Sequence, residues 1–139
     1  MKTQTQENVE IVLSFNKDFI EKGNLTVFEN LMDKDFVNQS APPDSPVGPE
    51  GILYFFNNIL RPAFPDLKVE IQDQIAEGDK VSTRKRIYGT HTGDLMGIKP
   101  THKAISIDII DIMRIRNGKL IEHWGINTFP SVMDLLKAN

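Results

Sequence analysis

The chain has 139 residues, the length of one domain, and its 40% hydrophobic and 25% charged content excludes a disordered segment. A formal net charge of −3 argues against a nucleic-acid or anionic-membrane partner, since both need clustered positive charge. Cysteine is absent, which excludes disulfides, thiolate metal sites and a cysteine nucleophile.

The polar stretch Met1 to Gln6 lacks the apolar run of a signal peptide, and no run approaches the ~20 residues needed to span a bilayer, so the expected compartment is the cytoplasm. Val9, Val12, Leu13, Phe19 and Ile20 recur at helical spacing, with Ile11 and Phe15 widening the stripe. They predict a helix from about Glu7 to Lys22, stopped by Gly23. Asn24 is the expected cap of a short second helix whose Val27, Phe28, Leu31 and Met32 share a face. A brief extended piece, Asp35 to Ser40, leads into Ala41 to Pro49, whose four prolines fit neither a helix nor an interior strand. Ile52, Phe55, Phe56, Ile59 and Leu60 stripe a third helix, which Pro62 should end.

From Leu67 the period changes to two. Leu67, Val69, Ile71 and Ile75 alternate with polar residues up to the turn Glu77-Gly78-Asp79. Further strands are expected over Lys80 to Thr90, Thr101 to Arg116 and Lys119 to Asn127, with a loop at Thr92 to Pro100. Asn117-Gly118 marks a type I′ hairpin, and Val132, Met133, Leu135 and Leu136 suit a short closing helix. Helices followed by a meander of strands mean a single α+β domain over residues 1–139, with room for a cavity between the layers.

A two-residue Asn-Gly loop sets the pairs that follow: Arg116 opposite Lys119, Met113 opposite Glu122, Ile112 opposite His123 and Asp111 opposite Trp124. One face then holds Ile105, Ile107, Ile109, Asp111, Met113 and Ile115 with Leu120, Glu122, Trp124 and Ile126, and is read as the buried one. Asp111 and Glu122 are carboxylates among apolar neighbours. Such a group is either paired, with an arginine or backbone donors, or has its pKa raised for acid–base work. Of the basic run Arg84-Lys85-Arg86, one residue is expected to point inward and the others into solvent. The three histidines have no ligand-like spacing, so no metal is expected, and no nucleotide-binding or serine-hydrolase motif occurs.

Five motifs occur in order: Gly48-Pro49-Glu50-Gly51 closing the proline loop, Phe64-Pro65-Asp66-Leu67, Gly89-Thr90-His91-Thr92-Gly93, Pro100-Thr101 followed by Lys103, and Asn117 through Trp124. Together they resemble the SnoaL-like polyketide cyclases, or ester cyclases, of the nuclear transport factor 2-like superfamily. The resemblance covers nearly everything after the first helix. It implies a cone of helices on a strongly curved, mainly antiparallel sheet, an apolar pocket, a homodimer, and cofactor-free ring closure by intramolecular aldol condensation. The family's acid–base aspartate, four residues after the tryptophan, is Thr128 here. Its Asp-His pair before the proline loop is Asn38-Gln39, and the glycine of its Pro-Thr-Gly-Lys is His102.

The expected activity is therefore acid–base chemistry on a small, largely apolar carbonyl compound, without cofactor or metal. Asp111 would be the base, in a pocket facing Trp124 where desolvation raises its pKa unless a cation sits nearby. His91 or Gln39 would bond the substrate oxygen, with Phe56, Glu122, Trp124 and Thr128 lining the site. The alternative is a non-catalytic ligand-binding or dimerisation module on the same fold. For a dimer, the contact would be the other sheet face, through Ile110, Ile112, Ile121 and His123.

Overall fold

A computed structural model describes residues 1–138. Helix α1 (Gln4–Ser14) continues as a wider π-helical segment, Phe15–Glu21, and α2 follows over Leu25–Leu31. Helix α1 begins three residues earlier than the apolar stripe predicts. Thr3 accepts from the Gln6 backbone N–H at 3.2 Å, while the Gln6 side chain accepts from the Thr3 N–H at 2.8 Å. This reciprocal cap satisfies donors that a helix start leaves unpaired. Asn24 caps α2 as expected, accepting from the Val27 N–H at 3.2 Å. Replacing Asn24 with alanine should lower stability by about 1 kcal/mol in urea unfolding.

Strand β1 (Met32–Asn38) precedes the proline loop, and α3 (Pro49–Tyr54) then runs on through a π-helical segment, Phe55–Leu60, to a last turn at Arg61–Ala63. Pro62 therefore sits inside the final turn and the helix ends after it, at Ala63. Strands β2 (Lys68–Glu77), β3 (Lys80–Thr90), β4 (Ala104–Arg116) and β5 (Lys119–Asn127) follow, then α4 (Phe129–Lys137). The five-stranded sheet has the order β1-β5-β4-β3-β2, antiparallel except for the parallel β1–β5 pair. Its inner face and the helices enclose the core. Phe19 anchors it, with ring centroids 4.6 Å from Phe28 and 5.9 Å from Phe56.

The β4–β5 hairpin turns at Asn117-Gly118, with φ of 52° and 75°, the left-handed pair that the tight turn requires. Its register begins as the turn predicts, Arg116 opposite Lys119 and Ile115 opposite Leu120. The next pair is Arg114 with Glu122, so Ile121 is an extra residue in β5, a β-bulge. Every later pair slips by one: Met113 meets His123, Ile112 meets Trp124 and Asp111 meets Gly125.

Because side chains alternate, the slip exchanges the two faces of β5 beyond the bulge. His123 joins Asp111 and Met113 on the inner face, whereas Glu122, Trp124 and Ile126 turn outward with Arg114, Ile112 and Ile110. The expected inner positions of Glu122, Trp124 and Ile126 are thus corrected. The expected dimer surface changes too: His123 leaves it, and Trp124 and Ile126 take its place.

Candidate active site

Five polar side chains from five elements converge behind the inner face of the sheet. Asp111 on β4 and Lys85 on β3 are both 3% exposed, and Lys85 Nζ lies 3.4 Å from Asp111 Oδ2. Two-residue alternation along β3 turns Lys85 inward and leaves Arg84 and Arg86 outside, where they pair with Asp73 and Asp108. Asn16, in the π-helical continuation of α1, accepts from Lys85 Nζ at 2.5 Å and donates to the Val12 carbonyl at 2.9 Å. His123 on β5 places Nε2 at 3.3 Å from Asp111 Oδ2 and Nδ1 at 2.8 Å from Asn38 Oδ1, at the end of β1.

The Ser40 backbone N–H donates to Asn38 Oδ1 at 3.0 Å, which fixes that oxygen as the acceptor facing the imidazole. Both ring nitrogens of His123 therefore face acceptors, and each contact is a hydrogen bond only when that nitrogen carries a proton. Gly125 makes room for the arrangement. A Cβ there would stand 3.0 Å from His123 Cε1 and 3.1 Å from both His123 Nε2 and Asp111 Cβ.

Burial pushes the Asp111 carboxyl up, but Lys85, and after it His123, more than offset this and hold it below the usual carboxylate range. The expected rise is corrected because a cation does sit nearby. Asp111 is thus ionised at neutral pH. Lys85 and His123 both meet Oδ2, while Oδ1 is buried with no partner. A fixed carboxylate with one unengaged oxygen is a proton acceptor, and half-buried His123 links it towards the surface.

The remaining expected site residues lie elsewhere. His91 is fully buried, but Thr83, the cross-strand partner of Asp111, precedes it by eight residues, roughly 25 Å along a strand. Its Nδ1 accepts from the Thr101 N–H at 3.2 Å, and it packs near Phe64 with ring centroids 5.8 Å apart. Gln39 donates to Glu122 Oε2 at 2.8 Å, and Glu122 Oε1 lies 3.6 Å from Arg114 Nη1. Glu122 is thus a carboxylate paired with an arginine, the first of the two expectations for it. Lys80 Nζ and Arg114 Cζ, from neighbouring strands, each lie 5.6 Å from the centroid of the Trp124 ring.

Phe56 belongs to the aromatic core, in edge contact with Phe55 at 5.2 Å. Thr128 ties β4 to α4, its hydroxyl accepting from the Asp108 N–H at 2.9 Å, three pairs along the ladder from Asp111. His102 holds a positive φ of 61°, the conformation that glycine adopts without strain. Among the described residues no group of three or more His, Asp or Glu side chains is placed to hold a metal ion, and no helix is long and apolar enough to cross a membrane.

A family model described as SnoaL-like polyketide cyclase matches residues 10–134. A protein from Jannaschia Sp. CCS1 assigned to the SnoaL-like polyketide cyclases is 23% identical, with 100% of this chain and 98% of that one covered and a TM-score of 0.85. Similarity at that level fixes the fold alone. A Bacillus cereus ATCC 10987 protein assigned as a polyketide cyclase is 27% identical, covering 94% of this chain and 80% of its own, with a TM-score of 0.80. AclR from Streptomyces galilaeus, assigned as a hydroxylase, is 26% identical over 98% of this chain and 88% of its own, with a TM-score of 0.83. No curated protein matches the chain. The fold is the nuclear transport factor 2-like α+β fold, and differing assignments on one scaffold show that the scaffold does not select the reaction.

Proposed function

We propose that this chain, which belongs to the SnoaL-like polyketide cyclase family, binds a small, largely apolar carbonyl compound and performs cofactor-free acid–base chemistry on it. Asp111 takes the proton next to the carbonyl on its unengaged oxygen, while His123 and Lys85 hold the other oxygen in place. The reaction is of the cyclase or isomerase type on a polyketide- or ester-like compound. The observation that carries this reading is the buried Asp111 carboxylate, with Oδ2 held by Lys85 and His123 and Oδ1 unengaged. Enolate formation requires one such base and no redox partner, which suits the family's ring-closing chemistry. The base differs in position from the family's, because Thr128 bonds the β4 backbone and cannot shuttle a proton near neutral pH.

The test is α-proton exchange in D2O, followed by NMR, on a panel of aromatic β-keto esters. Asp111→Asn should lower the exchange rate by about 10²–10⁴-fold. Affinity for the same esters should change little, since the shape is kept. Esters that bind but exchange no faster with the wild-type protein than with Asp111→Asn would favour the non-catalytic binding module.

The outer sheet face supports a homodimer as part of the proposal. Ile110 and Ile126 are 50% and 72% exposed there, between ion pairs of both signs, a composition that can complement its own copy. Light scattering should report a dimer at micromolar concentration, and Ile110→Glu should shift it to monomer; a wild-type monomer would remove this element.

A further inference from the structure

Drawing a proton from carbon beside a carbonyl needs a group to receive the charge that collects on oxygen, as well as a base. The expected candidates are occupied or remote: Gln39 bonds Glu122, Thr128 bonds the Asp108 backbone, and His91 stands at the far end of the sheet. Lys85 is the cation beside Asp111. Its ammonium has three N–H donors, and the contacts it makes are two, to Asn16 Oδ1 and Asp111 Oδ2. At 3% exposure, a side chain of this kind is costly to bury with a donor unfilled. Asp111 Oδ1 is the matching unfilled acceptor. An unmet donor and an unmet acceptor on adjacent, oppositely charged groups suit a ligand that supplies a carbonyl oxygen to one and an acidic hydrogen to the other.

Resting on the acid–base reading above, we infer that Lys85 is a catalytic residue that binds the substrate's carbonyl oxygen and stabilises the enolate, so the site selects ligands that are, or become, oxyanions. In the step, the α C–H bond breaks and its proton goes to Asp111 Oδ1. The bonding pair forms the new C=C bond, and the carbonyl π pair moves onto oxygen beside Lys85 Nζ. Asn16 is a positioning residue, because it holds the ammonium from the helix side.

The probe is a series of nitrophenols of graded acidity, whose bound ionisation is read by absorbance. It is used on Asp111→Asn, which keeps the lysine and removes the competing carboxylate, and on Asp111→Asn with Lys85→Met, which strands no charge. In Asp111→Asn the bound phenol should ionise at least about one pH unit below the free phenol, a roughly tenfold preference for the anion. The double variant, with folding checked by circular dichroism, should lose that preference. With β-keto esters, Lys85→Gln should lower exchange by about 10²–10³-fold.

A protein that binds no nitrophenol, or binds phenol and phenolate alike with or without Lys85, overturns the assignment. If the wild-type protein still exchanges ester protons in that case, the Asp111 reading stands and Lys85 alone falls. If it exchanges none, both fall together.

Discussion

Gly125→Val should abolish α-proton exchange and lower stability by about 1–3 kcal/mol. Intrinsic preference points the other way, since valine is favoured in strands and glycine weakens them. Space decides the sign. The new Cβ would sit 3.0 Å from His123 Cε1 and 3.1 Å from Asp111 Cβ, tight enough that a neighbour must give by a few tenths of an ångström. Neither neighbour is a free end: the imidazole is held by Asn38 and Asp111, and the Asp111 Cβ is fixed to its strand. The ring is therefore expected to shift, which loosens one of the two partners of Oδ2 and the Asn38 contact together. Melting temperature, the exchange assay and the His123 ring resonances measure the three consequences separately. A Gly125→Val protein as stable as the wild type, with its imidazole resonances unmoved, would mean the glycine has no part in holding the pair.

The same glycine shows where sequence reasoning reached and where it stopped. Helix stripes, the change to a period of two and the Asn-Gly turn were enough for the α+β fold, because each is a local signal repeated along an element. The site needed a long-range fact. Asp111 was legible as a carboxylate on an apolar strand face, but its partner depended on the β5 register. One bulged residue, Ile121, exchanges Trp124 for His123.

Nothing in Leu120-Ile121-Glu122 announces a bulge, and apolar patterning favours the unslipped register, which would turn Trp124 and Ile126 inward. Lys85 was nearer to hand. The run Arg84-Lys85-Arg86 required one inward cation, and alternation from Val81 and Ile87 selects the middle one. Asn16 was equally open to inspection, four residues after the buried Val12, in the π-helical continuation of α1. What periodicity could not supply was that these polar positions meet one another. That follows only once β3, β4 and β5 are laid side by side.

Lys85→Met should lower stability by about 3–5 kcal/mol at neutral pH, the usual consequence of leaving one member of a buried ion pair uncompensated. It should also reverse one component of the pH dependence. In the wild-type protein the folded-state pKa of Asp111 lies below its unfolded value of ~3.9, held there by Lys85 and His123 against the effect of burial. The stability it contributes is present above that unfolded value and is lost as pH falls through the folded one. Without the ammonium only His123 opposes burial, the largest single influence, so the folded pKa should rise above the unfolded one. The carboxyl then favours folding when protonated, so the variant should gain stability relative to the wild type as pH falls from neutrality towards 4. The other carboxylates respond alike in both proteins and cancel in the difference. Adding Asp111→Asn removes the titrating group, so the double variant should recover much of the neutral-pH loss and show no such reversal. Urea unfolding of the three proteins across pH 4–7 reads this directly, and a stability gap between wild type and Lys85→Met that stays constant over that range would sever the lysine from the aspartate.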